Sequence, residues 1–196
     1  MGTSERELKD IIKAWLAISL AFAVILNNSR LSMEIYSTFI VASLTVGLGF
    51  LLHELGHKIV AQRYGCFAEF KSFDRMLVLA IVMSFFGFVF AAPGAVMISG
   101  RVSNERNGKI SAAGPIVNIL LALVFAALSF AELPMFFRSV VAYGFIINSW
   151  LALFNMIPFW LFDGYKILKW SRIAYGSMLA ASFVLMLGKN FLIRGI

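Results

Sequence analysis

Residues 44–65, LTVGLGFLLHELGHKIVAQRYG, set a histidine, a glutamate and a second histidine into one of the most apolar stretches of the chain. His53 and His57 are the only two histidines among 196 residues. On a helix, positions four apart lie on one face a little over a turn from each other, so both imidazoles can bind one cation. Glu54 follows His53 and points away from that pair. It is a poor ligand, but it can reach a water held on the metal. Two neutral imidazoles on zinc with a glutamate as general base is the chemistry that the HExxH spacing serves. Zinc lowers the pKa of water from about 15.7 to about 7, and Glu54 takes the proton as that water attacks a carbonyl. Such a five-letter pattern also arises by chance. In a membrane-length apolar segment, however, ionisable groups are costly and mark function by default.

Composition points the same way. Hydrophobic residues make up 61% of the chain and charged ones 14%, with a mean hydropathy of +0.88, against about 45–50% and about 25% in soluble domains. The expectation is an all-α polytopic membrane protein forming one membrane-embedded domain over residues 1–196, with the core of the site at about 33–172. The net charge of +7 is not a nucleic-acid footprint, because positive loops are what orient a membrane protein. A single cysteine, Cys66, leaves no disulfide framework and no thiolate metal site. The opening MGTSERELKDIIK lacks a small-residue cleavage site and reads as an interfacial lead-in rather than a cleaved signal.

Hydropathy gives apolar spans at 14–29, 33–62, 112–131, 135–158 and 173–192, with Arg30 in the first tight connection. Lys58, Arg63, Lys71 and Arg75 follow the HELGH motif and mark that side as cytoplasmic, in agreement with Lys9 and Lys13. Residues 76–100 are harder to read. If 76–92 crossed, Arg101, Arg106, Lys109, Lys166, Lys169 and Arg172 would all lie outside, against the positive-inside bias. A re-entrant segment broken at Gly87, Pro93, Gly94 and Gly100 keeps them inside, and irregular backbone at that depth must be packed against protein. The expectation is therefore five crossings plus a re-entrant, partly extended element, or six crossings if 76–92 does span. An Asn107-Gly108 turn follows it, and Pro115 falls in the first turn of the next helix.

Catalytic zinc usually takes three protein ligands. Asp163, the only carboxylate after Glu132, sits past a helix break on the same side as His57. It is the leading third ligand; the alternative is a turn aspartate before Gly164. Asp74 and Glu69 are rival ligands. Asn118 and Asn155 are the polar groups that could donate to an oxyanion, with ordinary interhelical hydrogen bonding as the alternative. Asn148 reads as structural. The nine methionines read as flexible apolar filler.

Three motifs together resemble the site-2 protease family of intramembrane zinc metalloproteases: HELGH (53–57), SAAGPIVN (111–118) and NMIPFWLFDG (155–164). The resemblance covers roughly residues 45–170. It implies one Zn2+ held by His53, His57 and Asp163, with Glu54 as base and Asn155 positioning substrate or stabilising the oxyanion. It also implies a multi-pass protein of the cell membrane whose site opens toward the cytoplasm and cleaves transmembrane protein substrates near that face. The re-entrant segment looks like the family's substrate-pairing region, with Gly94, Ala95 and Val96 as candidate substrate-binding residues. The family's second proline in the third motif is Leu161 here, which bears on substrate handling rather than zinc. No PDZ or CBS domain is expected; the chain resembles a minimal archaeal or bacterial core. Two other readings remain open: a zinc-binding membrane transporter or sensor, and an inactive relative that holds membrane helices. The first lacks a relay of further intramembrane acids. The second would have no use for Glu54.

Overall fold

A computed structural model describes residues 2–28, 34–89 and 92–192. The chain is mostly helical. It runs α1 (Glu5–Leu26), α2 (Ile35–Ala42), a π-helical turn (Ser43–Gly47), α3 (Leu48–Arg63), β1 (Phe67–Ser72), α4 (Asp74–Ser84), β2 (Gly94–Ser99), α5 (Asn104–Leu128), α6 (Met135–Asn155), α7 (Asp163–Trp170) and α8 (Arg172–Leu192). Three of these are long and apolar enough to cross a membrane: the continuous helix Ile35–Arg63, α5 and α6. The π-helical turn ends at Gly47, between one and two turns ahead of His53, and is a local widening of the helix of the kind often found at functional sites. Arg30 lies outside the described residues.

Several sequence expectations change on contact with the packing. The opening residues are drawn into the fold: α1 begins at Glu5, capped by Ser4, whose side chain accepts from the Glu7 N–H, and Glu7 is 1% exposed. Lys58 is not a topology charge facing water but is buried at 5% exposure, with both Glu7 oxygens 2.7 Å from its Nζ. Asn107-Gly108 forms no turn. Ser103 caps α5 by accepting from the Arg106 N–H, so the helix starts well before residue 112. Gly108 is there for packing: a Cβ on it would lie 2.2 Å from the Trp170 Cβ of α7. Pro115 consequently falls inside α5 rather than in its first turn, where it cannot bond the Ser111 carbonyl and loosens that stretch of the ladder.

α4 is 11 residues long, about 16 Å at about 1.5 Å per residue, half of a hydrocarbon core. β1 and β2 pair antiparallel from Phe67↔Ser99 to Ser72↔Gly94, and Phe73 donates to the Pro93 carbonyl at 3.0 Å. The excursion 73–93 therefore starts and ends at one place. Gly87 and Gly100, two of the expected breaks, have φ of 85° and 141°, angles that glycine adopts without a steric cost. The hairpin lies between α1 and α3, and Phe70 (1% exposed) packs with Ala14 and Leu77.

Candidate metal centre

The π-helical turn and α3 carry the two histidines inward. His53 and His57 are 5% and 8% exposed. α5 packs across them so closely that a Cβ on Gly114 would lie 2.5 Å from both Nε2 atoms. Glycine at 114 is what leaves room for the imidazoles. Each ring is held from behind. His53 Nδ1 lies 2.6 Å from Asn118 Oδ1, and His57 Nδ1 lies 2.8 Å from the Ile110 carbonyl. Both acceptors lack a proton to give, so each Nδ1 is the donor and each Nε2 keeps its lone pair.

These lone pairs converge. The two Nε2 atoms are 3.0 Å apart. α6 ends at Asn155, ahead of Pro158, and the chain turns back so that Asp163, 9% exposed, opens α7. Its Oδ2 lies 3.3 Å from His53 Nε2 and 3.1 Å from His57 Nε2. Three acceptors facing one another in a buried site repel unless something positive lies between them. Their spacing suits one ion with donors at about 2.0–2.2 Å, the range for zinc with imidazole and carboxylate. The residues present thus fit a zinc ion. Glu54 completes the surroundings: one of its oxygens and a nitrogen of each imidazole all lie within 4.8 Å of one another. Glu54 is half-buried, and its Oε2 accepts the Val96 N–H of β2 at 3.0 Å.

The rival carboxylates are engaged elsewhere. Glu69 accepts from Ser4 Oγ at 2.6 Å. Asp74 pairs with Lys13, whose hydrogen bond holds that carboxyl below its ordinary value. Asn118 is fully buried, and its amide already donates to the Gly49 carbonyl at 3.1 Å and to Asn148 Oδ1 at 3.0 Å. With both N–H groups used, Asn118 is better placed to orient His53 than to meet an oxyanion. Asn148 in turn donates to the Gly144 carbonyl, so it supports Asn118 at one remove from the histidine. Asn155 donates to Leu151, one turn back on its own helix, at 2.9 Å. Leu161 is 64% exposed, between Trp160 and Phe162, and touches none of the ligands by hydrogen bond or charge. Glu7 and Lys58 were the residues that sequence reasoning missed. The available signal was spacing, since Lys58 falls four positions after Glu54 and shares its face of α3.

Apolar helices folded around two buried histidines and a half-buried glutamate fit a membrane-type metalloprotease. The protein named "Putative zinc metalloprotease MJ0611" of Methanocaldococcus jannaschii is 41% identical over 171 residues, 86% of this chain and 86% of that protein. "Zinc metalloprotease MJ0392" of the same organism is 26% identical over 159 residues, which are 81% of this chain and 41% of the longer relative. No protein-family model and no solved structure matches. The chain belongs to the family of these archaeal zinc metalloproteases, in keeping with the site-2 protease resemblance of its three motifs, and zinc is the cofactor.

Proposed function

We propose that the protein is an intramembrane endopeptidase that hydrolyses peptide bonds of transmembrane substrate helices near the cytoplasmic face. The observation that carries this reading is the convergence of His53, His57 and Asp163 within 3.3 Å of one another, beside Glu54 and the outer edge of β2. His53, His57 and Asp163 would hold one zinc, which supplies Lewis-acid activation of water, lowering its pKa from about 15.7 to about 7. Glu54 takes the proton from the attacking water and returns it to the leaving amine, a role worth about 10²–10⁴-fold. Asn118 and Ile110 keep the imidazoles in the tautomer that presents Nε2. Asn155, at the end of α6, is the remaining candidate to steady substrate or oxyanion, provided its amide turns from Leu151.

A helical substrate hides its peptide bonds in its own hydrogen bonds and must unwind to be cut. An exposed strand edge can then hold it extended by backbone pairing. The ladder alternation directs the N–H and C=O groups of Gly94, Val96 and Ile98 away from β1, so the proposed substrate-binding edge is Gly94–Ala95–Val96 and onward. The closed excursion 73–93 supports a re-entrant element rather than a crossing, and with α1 and α8 as further spans the protein is multi-pass. A transporter or sensor has no use for a base set between ligands and a strand edge, which favours the protease reading.

The deciding experiment co-reconstitutes the purified protein with single-span substrate helices in phospholipid vesicles and compares wild type with Glu54→Gln. Cleavage by wild type and none by the zinc-loaded variant supports the proposal. Equal product from both would point to a contaminating protease. Stable binding of the helices without cleavage by the zinc-loaded wild type would favour the inactive-relative reading.

A further inference from the structure

α3 shows one face to the hairpin, and on that face Glu54 and Lys58 stand one helical turn apart. Between them lies a single rung of the sheet, Phe70↔Val96. Phe73 bonds the Pro93 carbonyl, so alternation makes Phe70↔Val96 a pair without ladder hydrogen bonds, and both of its N–H groups point outward. The Val96 N–H goes to Glu54 Oε2 at 3.0 Å. The Phe70 N–H goes to Glu7 Oε1, also at 3.0 Å, and both Glu7 oxygens lie 2.7 Å from Lys58 Nζ. Lys58 is further met by Thr3 Oγ1 at 3.3 Å and the Gly2 carbonyl at 3.5 Å. The circuit closes on itself: α3, Glu54, Val96, Phe70, Glu7, Lys58, and α3 again. On its far side α1 is stitched along β1, by Ser4 to Glu69 and by Asp10 to Ser72 at 2.9 Å.

We propose that the buried Glu7–Lys58 pair is a positioning device: it holds the hairpin at a fixed offset from α3, and so sets which peptide bond of a strand paired on β2 meets Glu54. This rests on the reading that β2 receives the substrate strand. Neither residue touches the metal ligands by hydrogen bond, and their chemistry suits positioning. A Lys–Glu pair taken out of water is weak as net stabilisation against a hydrophobic replacement, but it is specific about geometry, because parting the two charges is costly. The pair has no part in Lewis-acid or proton-transfer chemistry. Its effect is on register, and a strand that slips by two residues offers the same side-chain face to the site while moving a different carbonyl to the base.

The test uses Glu7→Gln with Lys58→Met in one chain. The substituted glutamine still accepts the Phe70 N–H, methionine replaces the lysine stem, and no buried charge is left unpaired. A panel of synthetic single-span helices in phosphatidylcholine–phosphatidylglycerol vesicles supplies one that wild type cleaves, and products are read by mass spectrometry. The expected result is full zinc content, cleavage slower by about 10–100-fold, as a misplacement of about 1 Å produces, and products spread from one dominant cut to bonds two residues on either side. Without substrate, hydrogen exchange should speed up in residues 67–72 and 94–99 and stay unchanged in α5 and α6. An unchanged single cut at the wild-type rate overturns the proposal. Loss of zinc together with activity also overturns it, since the pair would then be a general brace of α3.

Val96→Pro separates this inference from the reading beneath it. Proline there removes an outward N–H, and with it the bond to Glu54 Oε2, at an edge position that tolerates proline. If Val96→Pro cleaves the same helix at the same bond and rate as wild type, β2 is not the substrate edge and both ideas fall. If Val96→Pro is impaired while the Glu7/Lys58 double variant cuts normally, only the positioning role fails.

Discussion

Phe70 and Val96 face each other across the hairpin, and each gives its outward N–H to a glutamate at 3.0 Å. The two glutamates then diverge. Glu7 is 1% exposed and has both oxygens on Lys58, and the neighbouring Ala68 carbonyl on the same edge takes the Gln62 amide at 3.3 Å. That edge is closed. Glu54 is half-buried, takes the Val96 N–H, and stands among the imidazoles. A single hydrogen bond is worth about 0.5–1.5 kcal/mol net and can be exchanged for another. A buried ion pair cannot be opened without stranding a charge at a cost of about 3–5 kcal/mol. The same acceptor chemistry thus makes one edge of the sheet part of the core and leaves the other able to exchange partners. What distinguishes the two carboxylates is how many further partners each has.

Substitutions at the two edges sharpen that contrast. The largest effect is expected from Glu54→Gln: cleavage falls by about 10²–10⁴-fold while zinc content and melting behaviour stay near wild type. A comparable loss of stability would show that the β2 edge is as structural as the other. Lys58→Met alone should act in the opposite currency, lowering stability by about 3–5 kcal/mol by leaving Glu7 charged and unpaired, as measured by denaturant unfolding in detergent. A shift below about 1 kcal/mol would mean the β1 edge is not closed by the pair. Asp163→Ala should abolish stoichiometric zinc, which metal analysis of the purified protein reads directly. Asn118→Leu should weaken zinc by about 10–100-fold, the usual cost of losing the group that orients a ligating histidine, and a chelator titration would report it. Asp74→Asn should be nearly silent in zinc content and within about 0.5 kcal/mol in stability, because its partner Lys13 is solvent-facing.

Gly94→Val, as a way to stiffen the edge, would set a Cβ 2.5 Å from Phe70 Cζ and 2.6 Å from the Lys71 carbonyl. It would displace the start of β2 rather than merely rigidify it. Val96→Pro is the cleaner probe of the edge.

The chemistry of the site was legible in the chain because it is local. His53 and His57 are one helical turn apart, and the apolar residues around them make an ionisable cluster costly unless it is used. Two helix positions after residue 130 are legible for a similar reason: α6 starts where the apolar span 135–158 does and ends at Asn155, ahead of Pro158, and α8 starts within a residue of the span 173–192, whereas α7 (Asp163–Trp170) lies in no apolar span and only the structure shows it. Asp163 was reached by counting which carboxylates remained and on which side they fell, and its Oδ2 does lie against both imidazoles. The start of α5 was not legible, because Asn107-Gly108 is a strong local turn signal. It was overridden by the Ser103 cap and by Gly108 packing on Trp170 from another helix.

By itself the sequence determined the membrane-protein class and the candidate metal-binding pair with the glutamate proposed as its base, because composition, helical period and ligand chemistry act over a few residues. Only the tertiary structure decided that Asn118 backs His53 rather than facing a substrate, and that a lysine one position past the motif is buried against a glutamate near the start of the chain. It also decided that a single rung of a two-stranded sheet joins that pair to Glu54. Each of these depends on bringing together residues 26 to 65 positions apart, where periodicity carries no information and close packing alone selects the partner.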